Sequence, residues 1–218
     1  MKKAIIILLL VLFTLFLLVN KGTKDNTQIV EKYPWQITLL EHGRSSVFGI
    51  VLGETSLREV DSILKGSSEV ALFEMDKQFS LEAYYKNISL GGLIGSFIFT
   101  LDASDEQFNK IKKESVNKEP AENKGQRYNL DKLAIEQVKT LTVKNLIYIP
   151  TVQLDEKTIV QRFGKPSKKI KLKTKEAGWH YLYPEKGLDL IFKEEGKEVL
   201  QYVLPKDFNL LLEPLQPH

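Results

Sequence analysis

The sequence predicts an α+β fold: two tandem units, each a short capped helix followed by an antiparallel meander, behind an N-terminal hydrophobic helix. Three observations carry that prediction. Short runs alternate between apolar and polar residues, as half-buried strands do, and between them the period shifts to that of a helix with a capping residue in front. That shift occurs at equivalent places in the two halves of the chain. Turns, several of them containing glycine, separate the strand-like runs closely enough for hairpins.

The chain begins Met1-Lys2-Lys3 and runs apolar from Ala4 to Val19, broken only by Thr14, before turning polar at Asn20. Lysines ahead of an uncharged apolar run place the N-terminus in the cytoplasm and the rest across the membrane. The length falls between a signal-peptide core of about 7 to 15 residues and a spanning helix of about 17 to 25. Small residues do not occupy both positions that a signal peptidase requires, which favours an uncleaved signal anchor at 1–20, with Lys21 and Lys24 snorkelling to the interface. Removal as a signal peptide is the alternative. The expected address is the inner membrane with the C-terminal domain in the periplasm, or a periplasmic or secreted protein after cleavage.

A polar linker, 21–32, leads to the first expected unit at 33–111. Trp35 to Leu39 and Ser46 to Leu52 read as strands joined by the turn Glu41-His42-Gly43-Arg44. Ser56 and Glu59 then stand at capping-box spacing, Leu57, Val60, Ile63 and Leu64 form one apolar face, and Gly66 ends the helix. Val70 to Phe73, Leu81 to Tyr85 and Phe97 to Leu101 read as further strands, with 89–95 as a loop, and a short helix begins near Ser104. The stretch 112–126 is rich in Lys, Glu and Asn and is expected to be a charged linker.

The second expected unit, 127–218, repeats the logic. A helix around Asp131 to Thr140 and a strand at Asn145 to Ile149 precede a helix capped by Asp155, with Ile159, Val160 and Phe163 on its apolar face and Gly164-Lys165-Pro166 as its stop. Strands are expected at about 168–175, 179–183, 188–193 and 200–204.

Composition narrows function. The absence of cysteine excludes a disulfide framework, a thiol nucleophile and a lipid-bearing cysteine. There are 31 basic residues, two of them Lys2 and Lys3 ahead of the anchor, against 28 acidic ones, so the exported part carries no field for nucleic acid. His42, His180 and His218 lie too far apart for metal-ligand spacing, and Gly91, Gly92 and Gly95 serve a turn rather than a phosphate. Acidic pairs such as Glu194-Glu195, Asp102 with Asp105, and Asp155-Glu156 fit turns and caps more simply than acid–base work. We therefore expect no enzyme, no cofactor and no metal.

One charge pattern stands out. At strand period Lys169, Lys171, Lys173 and Lys175 share a face, and Trp179, Tyr181 and Tyr183 share a face of the next strand. A partner or an anion is the candidate ligand there, with Lys169, Lys171, Lys173, Lys175, Trp179 and Tyr181 as site residues. A lysine-rich edge strand and a buried aromatic face are the simpler readings.

The segment Gly49-Ile50-Val51-Leu52-Gly53-Glu54-Thr55, followed by Val60 and Gly66, and again Phe163-Gly164-Lys165-Pro166, resembles the BamE (SmpA/OmlA) module and the tandem fold of beta-lactamase inhibitor protein. The resemblance implies small helix-plus-meander units that bind other proteins. BamE proteins carry a lipid-bearing cysteine, which this chain lacks. Pro34-Trp35-Gln36-Ile37, Val47-Phe48-Gly49, Leu81-Glu82-Ala83-Tyr84-Tyr85, Tyr148-Ile149-Pro150 and the runs from Tyr181 to Leu190 and from Gly196 to Val203 are similar to a proteobacterial group of membrane-anchored envelope proteins. That likeness implies fold and address and supplies no activity. The expected partners are an unidentified envelope protein and, through the N-terminal helix, the membrane. An anionic lipid, ligand or wall polymer on the lysine strand is the alternative.

Overall fold

The computed structural model describes residues 33–121, 125–173 and 177–216. The expected anchor at 1–20 and linker at 21–32 lie outside them, and no helix among the described residues is long and apolar enough to cross a membrane.

The mixed α+β class holds, with sheet predominating. Ile37–Leu40 (β1), Arg44–Val47 (β2) and Ile50–Val51 (β3) form a small antiparallel sheet. Where one strand was expected from Ser46 to Leu52, the chain turns back at Phe48-Gly49, both at positive φ. A left-handed Phe costs about 1–2 kcal/mol. Burying its ring is worth about 1.5–3 kcal/mol. That ring is 1% exposed and packs 5.1 Å from both Phe97 and Tyr148, so burial wins.

Helix α1 (Leu57–Leu64) follows, with the expected Ser56–Glu59 capping box formed. It ends at Lys65, which takes the left-handed conformation, one residue before the glycine expected to stop it. Strands β4 (Glu69–Met75), β5 (Gln78–Leu90) and β6 (Leu93–Leu101) are longer than their periodicity suggests. Asp76-Lys77 and Gly91-Gly92 close two-residue turns with both φ positive, the geometry that matches the twist of a hairpin. The expected loop 89–95 is therefore mostly strand, with Leu90 opposite Leu93.

Helix α2 (Asp105–Lys113), capped by Ser104 and Gln107, runs into the stretch expected as a linker. That stretch supplies β7 (Asn117–Pro120), which pairs with β8 (Gln126–Asn129). Helix α3 (Lys132–Val138), β9 (Val143–Pro150), helix α4 (Glu156–Phe163), β10 (Lys168–Lys171), β11 (Gly178–Tyr183), β12 (Leu188–Lys193), β13 (Val199–Tyr202) and helix α5 (Asn209–Leu212) complete the chain. Asp155 caps α4 as expected, and Gly164 ends it at φ 87.

The large sheet has ten antiparallel strands in the order β10-β11-β12-β13-β9-β6-β5-β4-β8-β7. It runs without a break through both expected units: β6 pairs with β9, and β8 returns to pair with β4. The described residues belong to one compact unit. One face carries Leu72, Leu81, Phe97, Phe99, Tyr148, Leu190 and Tyr202, in one core cluster with residues of the small sheet and of α1, α2, α3 and α4. The hydroxyl of Tyr202 donates to the carbonyl of Pro34 at 2.7 Å, tying the start of the domain to the sheet.

Candidate functional site

The lysine strand is an edge strand, and the structure divides its residues. Lys169 and Lys171 stand opposite Tyr181 and Trp179. The Lys169 ammonium reaches the Glu156 carboxylate of α4 at 2.6 Å and sits 4.4 Å above the Tyr181 ring. The Glu156 contact lifts the Lys169 pKa and, from the other side, lowers that of Glu156. Lys173 donates to the backbone carbonyl of Gln216 at 2.9 Å. Lys175 lies outside the described residues. Tyr181 is 1% exposed and belongs to the core, whereas Trp179, on the same face nearer the strand's start, is 37% exposed. Two of the lysines thus hold contacts within the chain, and Lys171 beside Trp179 is the outward-facing remainder. The opposite edge, β7, carries Lys118, Glu119 and Pro120. Charges on both edges, with Pro120 on β7, disfavour strand-to-strand aggregation.

The sheet face turned away from the core has two unlike halves. Along one row the strands place Glu69, Tyr84, Ile98, Ile147, Gln201, Asp189, Leu182 and Lys168 side by side. At the β10–β13 end the C-terminal segment lies over this face: Phe208, Leu211, Leu212 and Leu215 pack with Ile170, Leu182 and Val203. Over β4, β5, β6 and β9 no described segment takes that place, and Tyr84, Ile98, Ile147 and Ile149 are half-buried by one another. Ile94 and Val152 beside them are 46% and 48% exposed.

The open half deepens toward β8 into two adjoining hollows of about 610 and 360 Å³, which share Phe73, Glu82 and Arg127. Cross-strand pairing explains the juxtaposition: Phe73 stands opposite Arg127 and Ser80, and Ala71 opposite Glu82 and Asn129. Arg127 Nε is shut off from solvent with no hydrogen-bond acceptor. Glu82 accepts from the Ser80 hydroxyl at 2.9 Å and Glu119 from the Asn129 amide at 3.1 Å, both neutral donors. None of this was foreseen from sequence. The only signal is the alternation Gln126-Arg127-Tyr128-Asn129, which sends Tyr128 inward and Arg127 outward.

Other charged groups make contacts within the fold. Glu74 accepts from Lys112 at 2.7 Å and from the Tyr128 hydroxyl at 2.6 Å, and these contacts, Lys112 first, lower its pKa. The Tyr85 hydroxyl donates to Asp61 at 2.7 Å, and Lys139 links Asp61 to Glu136. His180 pairs with Asp189 on the outer face. Asp155 of the acidic pair Asp155-Glu156 is the cap of α4, and the other two pairs form no ion pairs among the described residues. Compared with known proteins, the chain matches no family model, no curated protein and no solved structure.

Proposed function

We propose that this protein is a non-enzymatic, membrane-anchored envelope protein whose exported domain, built from two BamE-like units, binds another envelope protein. The observation that supports the reading is the half-covered outer face. Where the C-terminal segment lies on it, apolar side chains are buried; over β4, β5, β6 and β9 a comparable row faces outward. An apolar centre with a polar rim is the anatomy of a protein interface. Pull-down of the exported region from envelope extract is expected to enrich one defined partner, and a folded Ile98→Lys/Ile147→Lys variant is expected to lose it. Recovery of only non-specifically adhering proteins at several salt concentrations, or equal capture by the variant, overturns the reading.

A second reading, an anionic lipid or wall polymer on the lysine strand, draws on Lys171 beside the exposed ring of Trp179. A basic side chain next to an amphipathic aromatic suits a headgroup surface. Changing Lys169, Lys171, Lys173 and Lys175 to Gln is then expected to abolish binding to anionic vesicles while leaving the circular dichroism spectrum intact. Unchanged binding removes the idea.

A further inference from the structure

The outer face of the large sheet is divided into two halves of equal width. Strands β10, β11, β12 and β13 lie under the C-terminal segment, and the next four in sheet order, β9, β6, β5 and β4, are open. One cross-strand row runs through all of them, from Lys168 on β10 to Glu69 on β4, and its midpoint falls between Gln201 of β13 and Ile147 of β9. The segment itself is apolar on both sides. Phe208, Leu211, Leu212 and Leu215 pack toward its own sheet, whereas Leu210, 54% exposed, and Pro214, four residues on, stand on the outer side.

These features are self-complementary. A two-fold axis parallel to the strands, above the gap between β13 and β9, sets the covered half of one copy against the open half of another, and the reverse. Each C-terminal segment then lies between two sheets, with Leu210 over Ile98 and Tyr84 of the other copy. The same axis brings the Lys168 end of one row over the Glu69 end of the other, so that unlike charges face each other at the rim. A two-fold running across the strands would instead stack segment on segment and leave both open halves uncovered. Four strands spaced by about 4.8 Å, over roughly 20 Å of their length, give an open half of about 400 Å². Each copy contributes that area and the segment that covers it in the other, about 800 Å² per copy, which is what a standard stable interface requires. A different protein on the open half leaves Leu210 and Pro214 in water, whereas a second copy buries both patches at once.

Building on the reading of the open face as a partner surface, we propose that the partner is a second copy of this chain, in an isologous dimer whose two C-terminal segments lie between the two sheets. The strand-parallel axis keeps the starts of both domains at one height along it, as two chains held in one membrane require. The protein that the exported region captures is then the chain itself.

The chain has no cysteine, so introduced thiols report the contact without background. Full-length Leu210→Cys and Ile98→Cys chains, co-expressed with tags of different size and treated with copper–phenanthroline, are expected to form a mixed disulfide dimer. Two Ile98→Cys chains are not, because the axis sets those positions three strands, about 14 Å, apart in addition to the thickness of the segments. Leu133→Cys, exposed on α3 on the core side of the sheet, replaces Ile98→Cys as the control for chance collision. The mixed dimer is expected to exceed both controls by at least about tenfold. Light scattering in detergent micelles is expected to give a dimer mass for the wild type and a monomer mass for a folded Leu210→Asp variant. A mixed disulfide no more abundant than the controls, a monomeric wild type, or a dimer indifferent to Leu210→Asp overturns the proposal. If a defined envelope partner is still captured through Ile98 and Ile147 after any of these results, the partner reading stands and only the second copy falls.

Discussion

The imidazole Nδ1 of His180 lies 2.8 Å from Oδ2 of Asp189, and the two side chains are buried together on the sheet face opposite the main core. The other carboxylate oxygen of Asp189 has no hydrogen-bond partner. Histidine is therefore the chief compensation for a carboxylate removed from water. His180→Leu is expected to destabilise the domain by about 3 kcal/mol, because it orphans Asp189. The double change His180→Leu/Asp189→Leu is expected to recover most of that loss. Urea unfolding of the wild type, the two single variants and the double variant measures the cycle, and additive losses would refute the coupling.

Glu198 makes a second, pH-dependent prediction. It is fully buried, and that burial pushes its carboxyl above the usual glutamate range. The folded state therefore holds its proton more tightly than the unfolded chain. The contribution is fully present below the unfolded-state pKa and is lost as pH rises through the folded one. Glu198→Gln, which keeps shape and removes the charge, should flatten this part of the stability-versus-pH curve and raise stability at neutral pH. Parallel curves for the two proteins would refute it.

Tyrosine ionisation gives a third. Burial pushes Tyr148 up to about 12, and burial, with a smaller contribution from Tyr181, does the same for Tyr183. A tyrosine raised in the folded state contributes stability below its unfolded pKa and loses it as pH climbs through the folded value. Alkaline titration followed by phenolate absorbance should show Tyr148 and Tyr183 ionising only in the window in which the fold is lost. Early, independent ionisation of all tyrosines would contradict the burial.

Two glycines on the β5–β6 hairpin should respond differently to alanine. A Cβ on Gly95 would overlap the Tyr148 ring and come within 2.8 Å of the Ile149 carbonyl, whereas one on Gly92 meets nothing within 4 Å and suffers only from φ +83. Gly92→Ala is expected to cost about 1 kcal/mol. Gly95→Ala is expected to cost about 2–3 kcal/mol through overpacking against buried Tyr148 and β9. Thermal or urea unfolding that ranks the two the other way would overturn the assignment.

Legibility tracked the range of the interaction. Ser56 and Asp155 were readable as caps because each accepts from a backbone N–H three residues on, within one turn of its own helix. The turn at Phe48-Gly49 was not, because a phenylalanine adopts positive φ only when a distant cluster, here Phe97, Tyr148 and Tyr202, holds its ring. Asp76-Lys77 escaped notice for a related reason, since a two-residue turn without glycine carries little local signature. In the lysine run, alternation indicated one shared face, but the neighbours that bind Lys169 and Lys173 come from Glu156 and Gln216, 13 and 43 residues away.

By itself the sequence determined the mixed α+β class, antiparallel hairpins and the capped starts of two helices, since caps and periodicity act over three or four residues. It also supplied the expectation of an anchored, exported protein, carried by residues outside the described structure. Tertiary structure alone decided that both halves share one sheet, with β8 against β4 and β6 against β9, and which part of its outer face stays open. Those outcomes depend on pairings between distant segments and on where the C-terminal residues settle. Arg127, Glu82 and Glu119, ordinary surface charges in the sequence, come to line one hollow only because those pairings set their strands side by side.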